Sequence, residues 1–183
     1  VTVSLTVSNR ETVLKQLSDN LIDLAIMGQP PENLDIDSES FMANPLVVIA
    51  PPDHPLCQEH NIPVQRLAKE IFLVRESGSG TRSAMERFFA EHQIKINKGT
   101  ETDTTEAIKQ AVQAGMGLGI MSQHTAELEL ETKRLKVLDV QGFPIIRFWH
   151  VVNRKNKRLS GVAKTFREFL LKEAAKLMLE SKK

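Results

Sequence analysis

From Phe72 to Phe89 the chain reads FLVRESGSGTRSAMERFF, and the fold class turns on how that stretch is read. Ile71–Val74 is a short apolar run with the branching of a buried strand. Five small residues follow, Ser77-Gly78-Ser79-Gly80-Thr81. Met85, Phe88 and Phe89 then recur at helical spacing on one face. Strand, loop and helix in succession point to an α/β fold.

Reading outward supports that class. Downstream, Asp103 and Glu106 have the spacing of a capping box, and Ala107, Ile108, Ala111 and Val112 make an apolar helical stripe. Gly115 is placed to end that helix. Gly117-Leu118-Gly119-Ile120-Met121 reads as a strand that another backbone approaches closely. A short helix after Ser122, strands at RLKVLDV and IIRFWHVV, and a long helix capped at Ser160 complete the C-terminal third. That last helix is expected to bury Val162, Phe166, Phe169, Leu170 and Leu177. Upstream, LVVIAPP (Leu46–Pro52) is a β-branched run stopped by prolines, and a short helix follows Pro63. At the start, Val3, Leu5 and Val7 alternate with polar residues as in a half-buried strand. A helix capped by Ser8 or Asn9 and a short strand at Asp23–Met27 come next. Strands alternating with helices predict a largely parallel sheet.

Length and composition limit the functional classes. The 183 residues suffice for one sizeable domain or two small lobes, and 41% hydrophobic with 26% charged residues is ordinary for a globular chain. No apolar run approaches the ~20 residues of a membrane span, and Val1 does not open a signal peptide. One cysteine, Cys57, leaves no internal disulfide and suits the cytoplasm. The net charge is +1, yet residues 153–183 hold ten Lys or Arg against three Glu. Without interleaved aromatics or a groove-reading motif, that tail reads as the solvated face of a helix and not as a nucleic-acid site.

The glycine motifs do not carry enzyme chemistry. SGSGTR lacks the Gly-Lys-Ser/Thr ending of a phosphate-binding loop. GMGLGI follows a helix instead of opening one and lacks the dinucleotide spacing. His54, His60, His92, His124 and His150 show no metal-ligand spacing, and no G-x-S-x-G elbow surrounds Ser79 or Ser122. No cofactor, metal or catalytic base is implied. What remains is small polar residues at two helix starts, Ser79–Arg82 and Thr102–Thr105. There, unpaired N–H groups and the positive helix end favour an anion. Arg82 could add a charge-assisted fork. Capping alone explains either segment, but two of them in a two-lobed α/β chain favour ligand binding at strand ends.

The order of the motifs VTVSLTVSNRETVLKQLSDNLIDLAIMGQPP, PLVVIAPPDHPL, FLVRESGSGTRSAMERFF, TEAIKQAVQAGMGLGIMS and LKVLDVQGFPIIRFWHVVNRKNKRLS resembles the effector-binding domain of LysR-type transcriptional regulators. SGSGTR, EAIKQAV and GFPI.R.W are similar to the regulators of Calvin-cycle (RuBisCO) operons in particular. The resemblance implies two Rossmann-like subdomains joined by two crossover strands, like a small type 2 periplasmic binding protein. Residues 1–72 with 148–183 would form the first subdomain and 73–147 the second. It also implies a small anionic, phosphorylated effector in the cleft between them. The matching positions are Gly28, Gln29 and Pro30, then Ser77, Gly78, Ser79, Thr81 and Arg82, then Thr102, Asp103 and Thr104. Family members pair side by side as homodimers or assemble as tetramers. Here that would use the Val3–Val7 strand and the helix after Ser8 against the partner's helix after Thr104. They contact operator DNA through an N-terminal helix-turn-helix that lies outside these 183 residues, and they are not membrane proteins. The family pattern further places a strand and helix before VTVSL, with that strand between Val3–Val7 and Asp23–Met27 and its loop forming one wall of the effector site. A free-standing solute-binding protein and a small-molecule transferase are the other readings of the same architecture.

Overall fold

The computed structural model describes residues 2–31 and 33–180, so Lys182 and Lys183 of the basic tail lie outside the described residues. Along the chain run α1 (Arg10–Ser18), β1 (Ala25–Met27), β2 (Ile36–Ala43), β3 (Leu46–Ala50), β4 (Ile71–Arg75) and α2 (Gly80–Glu91). They are followed by β5 (Asn97–Thr102), α3 (Thr105–Gln113), β6 (Leu118–Ser122), α4 (Glu127–Glu131), β7 (Lys136–Val137), β8 (Phe148–Arg154) and α5 (Gly161–Glu180). These elements form two compact units, one built from the residues up to Ala43 and from Arg147 onward, the other from Asn44–Ile146. The chain passes between units twice, as a two-lobed α/β fold requires.

The first boundary falls at Ala43/Asn44 instead of after residue 72, whereas the second lies within one residue of its expected place. The reason is the packing of β3. All five of its residues are buried, and it pairs with β6 from Leu46↔Ser122 to Ile49↔Gly119. Leu56, Ile62, Val64 and Leu67 then join the same core as Leu46 and Val48. Chain order placed this segment with the N-terminal lobe, but its side chains belong to the second.

In the first unit the sheet order is β1-β8-β2, both pairings antiparallel. Leu17, Ala25, Met27 and Val152 form its core. Asn9, and not Ser8, caps α1, its Oδ1 accepting the Thr12 N–H at 2.9 Å. The expected strand at Val3–Val7 is not formed. Val3, Leu5 and Val7 are 80%, 89% and 89% exposed, and no described strand pairs with them. Alternation specifies a strand only where a neighbour supplies hydrogen bonds and an apolar face, and here neither is at hand. β2 went unpredicted because Asp37, Ser38, Glu39 and Ser40 are all exposed and give no alternation to read. Ser160 does cap α5, accepting from the Ala163 N–H at 3.2 Å. However, of the five residues expected in the core from α5, only Leu170 is buried, with Ala163 beside it in the pattern. Val162, Phe166, Phe169 and Leu177 stay 45–48% exposed, because α5 packs on β2 and β8 through the face that carries Ala163 and Leu170.

The second unit carries a five-stranded sheet ordered β5-β4-β6-β3-β7. β4 is parallel to β5 and β6, whereas β3 is antiparallel to both β6 and β7. The sheets are therefore less parallel than predicted. Parallel pairing is confined to the strands linked through α2 and α3, which are the crossovers that parallel strands need. Alternating residues of these strands face two cores. Leu46, Val48, Phe72, Val74, Leu118 and Ile120 lie with Met85, Phe88 and Phe89 of α2. Val47, Ile49, Leu73 and Met121 lie with Ile108 and Val112 of α3. Gly115 (φ +76°) closes α3 in a left-handed turn, with Met116 N–H bonded to Ala111 O at 3.1 Å. A Cβ on Gly117 would lie 2.6 Å from Ile71 O, the close backbone approach that the sequence suggested. RLKVLDV shrinks to the two-residue β7, although Leu135, Leu138 and Val140 are buried.

Three substitutions check this account by chemical denaturation. Leu17→Ala should cost about 2–5 kcal/mol by opening a cavity in the first core. Leu5→Ser should change stability by less than about 0.5 kcal/mol, since nothing covers Leu5. Gly117→Ala should cost more than about 1 kcal/mol, because φ is +151° and Ile71 leaves no room.

Candidate functional site

Most of the polar residues singled out in the sequence gather at one end of the second unit's sheet. β4 and β6 run parallel and end at Arg75 and Ser122, while the antiparallel β3 starts beside them at Leu46. The Ser77–Arg82 loop leaves this end through a tight turn. Glu76 N–H bonds Thr102 O at 3.0 Å, Ser79 N–H bonds Glu76 O at 3.2 Å, and Gly78 takes φ +86°. Ser79 is buried and caps α2. Its Oγ accepts from Arg82 N–H at 3.5 Å, and its carbonyl accepts from Ser83 N–H at 3.0 Å. Ser77 is exposed, and Gly78 and Thr81 are half-buried at the mouth of the helix.

Arg82 is engaged by partners within the second unit. Its Nε donates to Glu86 at 3.0 Å, and one Nη donates to Glu101 at 2.6 Å and to Arg75 O at 2.9 Å. Hydrogen bonding to Glu86, and then to Glu101, holds the guanidinium above its ordinary pKa. The side chain clamps the first turn of α2 onto the end of β4, with its Nε and one Nη engaged by carboxylates. Lys98 adds a further pair to Glu86.

At the second helix start the cap is Thr104. Its Oγ1 accepts the Ala107 N–H at 3.1 Å, and Thr102 Oγ1 accepts the Thr104 N–H at 3.5 Å. Asp103 is exposed and makes no cap, so the expected Asp103–Glu106 box is absent; Glu106 pairs with Lys109 at 2.9 Å instead. The cap lies one position nearer the helix, so the N–H it satisfies is that of Ala107 and not of Glu106. Because α2 and α3 cover opposite faces of the sheet, the two helix starts do not share a face. Arg75 stands between them. It grips both oxygens of Glu76 at 2.7 and 3.0 Å and donates to Thr105 Oγ1 at 2.9 Å.

The electrostatic consequence is specific. Arg75, Arg82 and Lys98 are matched by Glu76, Glu86 and Glu101, so the side chains here supply no net positive charge. Attraction for an anion rests on the N-terminus of α2 and on neutral donors.

Three residues of interest escaped the sequence reading. Asn44 is fully buried just before Pro45, and Ser122 is buried at the end of β6. Polar residues adjoining an all-buried strand were the available signal. In the first unit, the Gly28-Gln29-Pro30 loop follows β1, and the Arg147 guanidinium lies 3.7 Å from where a Cβ on Gly28 would sit. Arg147 is the lone cation in PIIRFWHVV, which was read only as a strand.

Comparison with known proteins places these features. A family model described as the LysR substrate binding domain matches residues 1–175. The RuBisCO operon transcriptional regulator of Allochromatium vinosum is 56% identical over 173 residues, which is 94% of this chain and 57% of that protein. The HTH-type transcriptional activator CmpR of Synechocystis sp. is 47% identical over 170 residues, 93% of this chain and 56% of that one. The chain thus spans little more than half the length of these relatives. Among solved structures, the regulatory domain of Synechocystis PCC6803 CcmR in complex with 2-PG superposes with a TM-score of 0.89 at 43% identity, covering 93% of this chain and 82% of that one. The effector-binding domain of QuiR in complex with shikimate gives 0.81 at 25% identity, covering 92% and 79%. The architecture is the type 2 periplasmic-binding-protein-like fold of LysR regulatory domains. With two α/β units crossed twice by the chain and a capped helix start at the strand ends, the chain belongs to the LysR substrate-binding domain family.

Proposed function

We propose that this chain is the effector-sensing part of a cytoplasmic transcriptional regulator of carbon-fixation genes, and that its effector is a small phosphorylated anion of the 2-phosphoglycolate type. The observation that carries the reading is the 43% identity to a regulatory domain solved with 2-PG, together with the 56% identity to a RuBisCO operon regulator. The geometry supports it. In the second unit, the Ser77–Thr81 loop presents small residues and the start of a twelve-residue helix at the C-terminal ends of parallel strands. Such a start holds phosphate through N–H groups and the helix dipole. In the first unit, the Arg147 guanidinium lies against the Gly28-Gln29-Pro30 loop. The relatives' names support regulation of transcription by the intact protein, and operator binding and pairing into dimers are part of the same proposal.

Calorimetry with 2-phosphoglycolate on the intact protein that carries this chain tests the assignment. Saturable binding of 2-phosphoglycolate is expected, and its absence would overturn the assignment. Arg82→Ala should leave the affinity within about threefold (under ~0.7 kcal/mol), because its Nε and one Nη are engaged by Glu86 and Glu101. A large loss in Arg82→Ala would return that guanidinium to the anion.

A further inference from the structure

Asn44 and Ser122 stand out because their polar atoms have nothing to bond to. Asn44 is 0% exposed and Ser122 is 7% exposed. Among the described residues, neither Oδ1 nor Nδ2 of Asn44, nor Oγ of Ser122, has a hydrogen-bond partner. Buried polar groups are normally satisfied, so three orphan atoms at one end of one sheet require a reason.

Their placement supplies one. Leu46 pairs with Ser122, and the Gln123 N–H bonds Pro45 O at 3.0 Å, so Asn44 continues β3 along the end of β6. Side chains alternate between the faces of a strand. Leu46 and Val48 face the α2 core, as do Leu118 and Ile120, and the alternation carries Asn44 and Ser122 to that same face. α2 packs on β4 and β6 and begins at this end, at Gly80 behind the buried cap Ser79. A helix N-terminus and two buried, unpartnered polar side chains thus share one face and one end of the sheet.

We infer that Asn44 and Ser122 are effector contacts, and that they hold the carboxylate of a phosphorylated carboxylic acid whose phosphate lies at the start of α2. The two Nδ2 hydrogens and the Ser122 hydroxyl provide three donors for carboxylate oxygens, while Oδ1 accepts a hydrogen bond from a water on the carboxylate. No cation is required. Arg75, at the end of β4, is already closed on Glu76 and Thr105. The inference rests on the effector reading above and adds which end of the ligand the second unit recognises.

The test compares 2-phosphoglycolate with inorganic phosphate, which lacks the carboxylate, by calorimetry on the intact protein and on its Asn44→Leu and Ser122→Ala variants. Thermal melts run alongside. Each variant should bind 2-phosphoglycolate about tenfold or more weakly while phosphate affinity moves by less than about threefold, as expected when a charged group loses its donors. Asn44→Leu should melt no lower than wild type, because it removes two orphan atoms from the core. If Asn44→Leu fails to melt cooperatively, Ser122→Ala decides alone. Wild-type affinity for 2-phosphoglycolate in the folded variants overturns the inference and leaves the effector reading standing. Wild-type protein that binds no 2-phosphoglycolate overturns both.

Discussion

Leu46–Ala50 has no exposed residue, and the second unit is organised around the burial of its two faces. One face requires α2 and the other requires α3, so both helices must start at the end of the sheet where β4 and β6 finish. That demand fixes the Ser77–Thr81 loop, the clamp of Arg82 on Arg75 O, and the position of Asn44 just outside the strand. A polar change within β3 would propagate to both cores at once. The same change on α1 would stay within the smaller cluster around Leu17.

The polar end of this sheet is charge-balanced, which bears on what it can recognise. Three cations and three carboxylates pair among themselves and rigidify the loop. Partly exposed pairs of this kind contribute modest stability individually. Their value here is positional, since they leave the helix N-terminus as the uncancelled positive potential. A site of that kind discriminates by geometry and donor count more than by gross charge.

How much was legible in the sequence differs between the two units. Strands with one continuous apolar run, such as LVVIA and IFLV, were read correctly, as were the helices with a clear stripe and cap. Gly117 was also read correctly, because a glycine between two apolar positions signals close approach. The misses share a cause: tertiary context. Val3–Val7 alternates but has no strand to pair with. β2 does not alternate, yet it is held by β8 along nearly its whole length. α5 carries more apolar residues than β2 and β8 can cover. At the site, helix caps and glycines were visible as residue types. The partners of Arg82 and the isolation of Asn44 and Ser122 were not, since both depend on residues far away in the chain.

The central claim is that a phosphorylated anion is recognised at the α2 end of the second unit's sheet. Amide chemical-shift mapping of the isotope-labelled intact protein during titration with 2-phosphoglycolate tests it most directly. The account predicts that the largest shifts fall on the Gly78–Arg82 backbone amides and on the Asn44 side-chain amide. Shifts confined to the first unit's surface depression, lined by Leu14, Pro31, Leu34 and Arg154 among others, with Gly78–Arg82 and Asn44 unmoved, would contradict it.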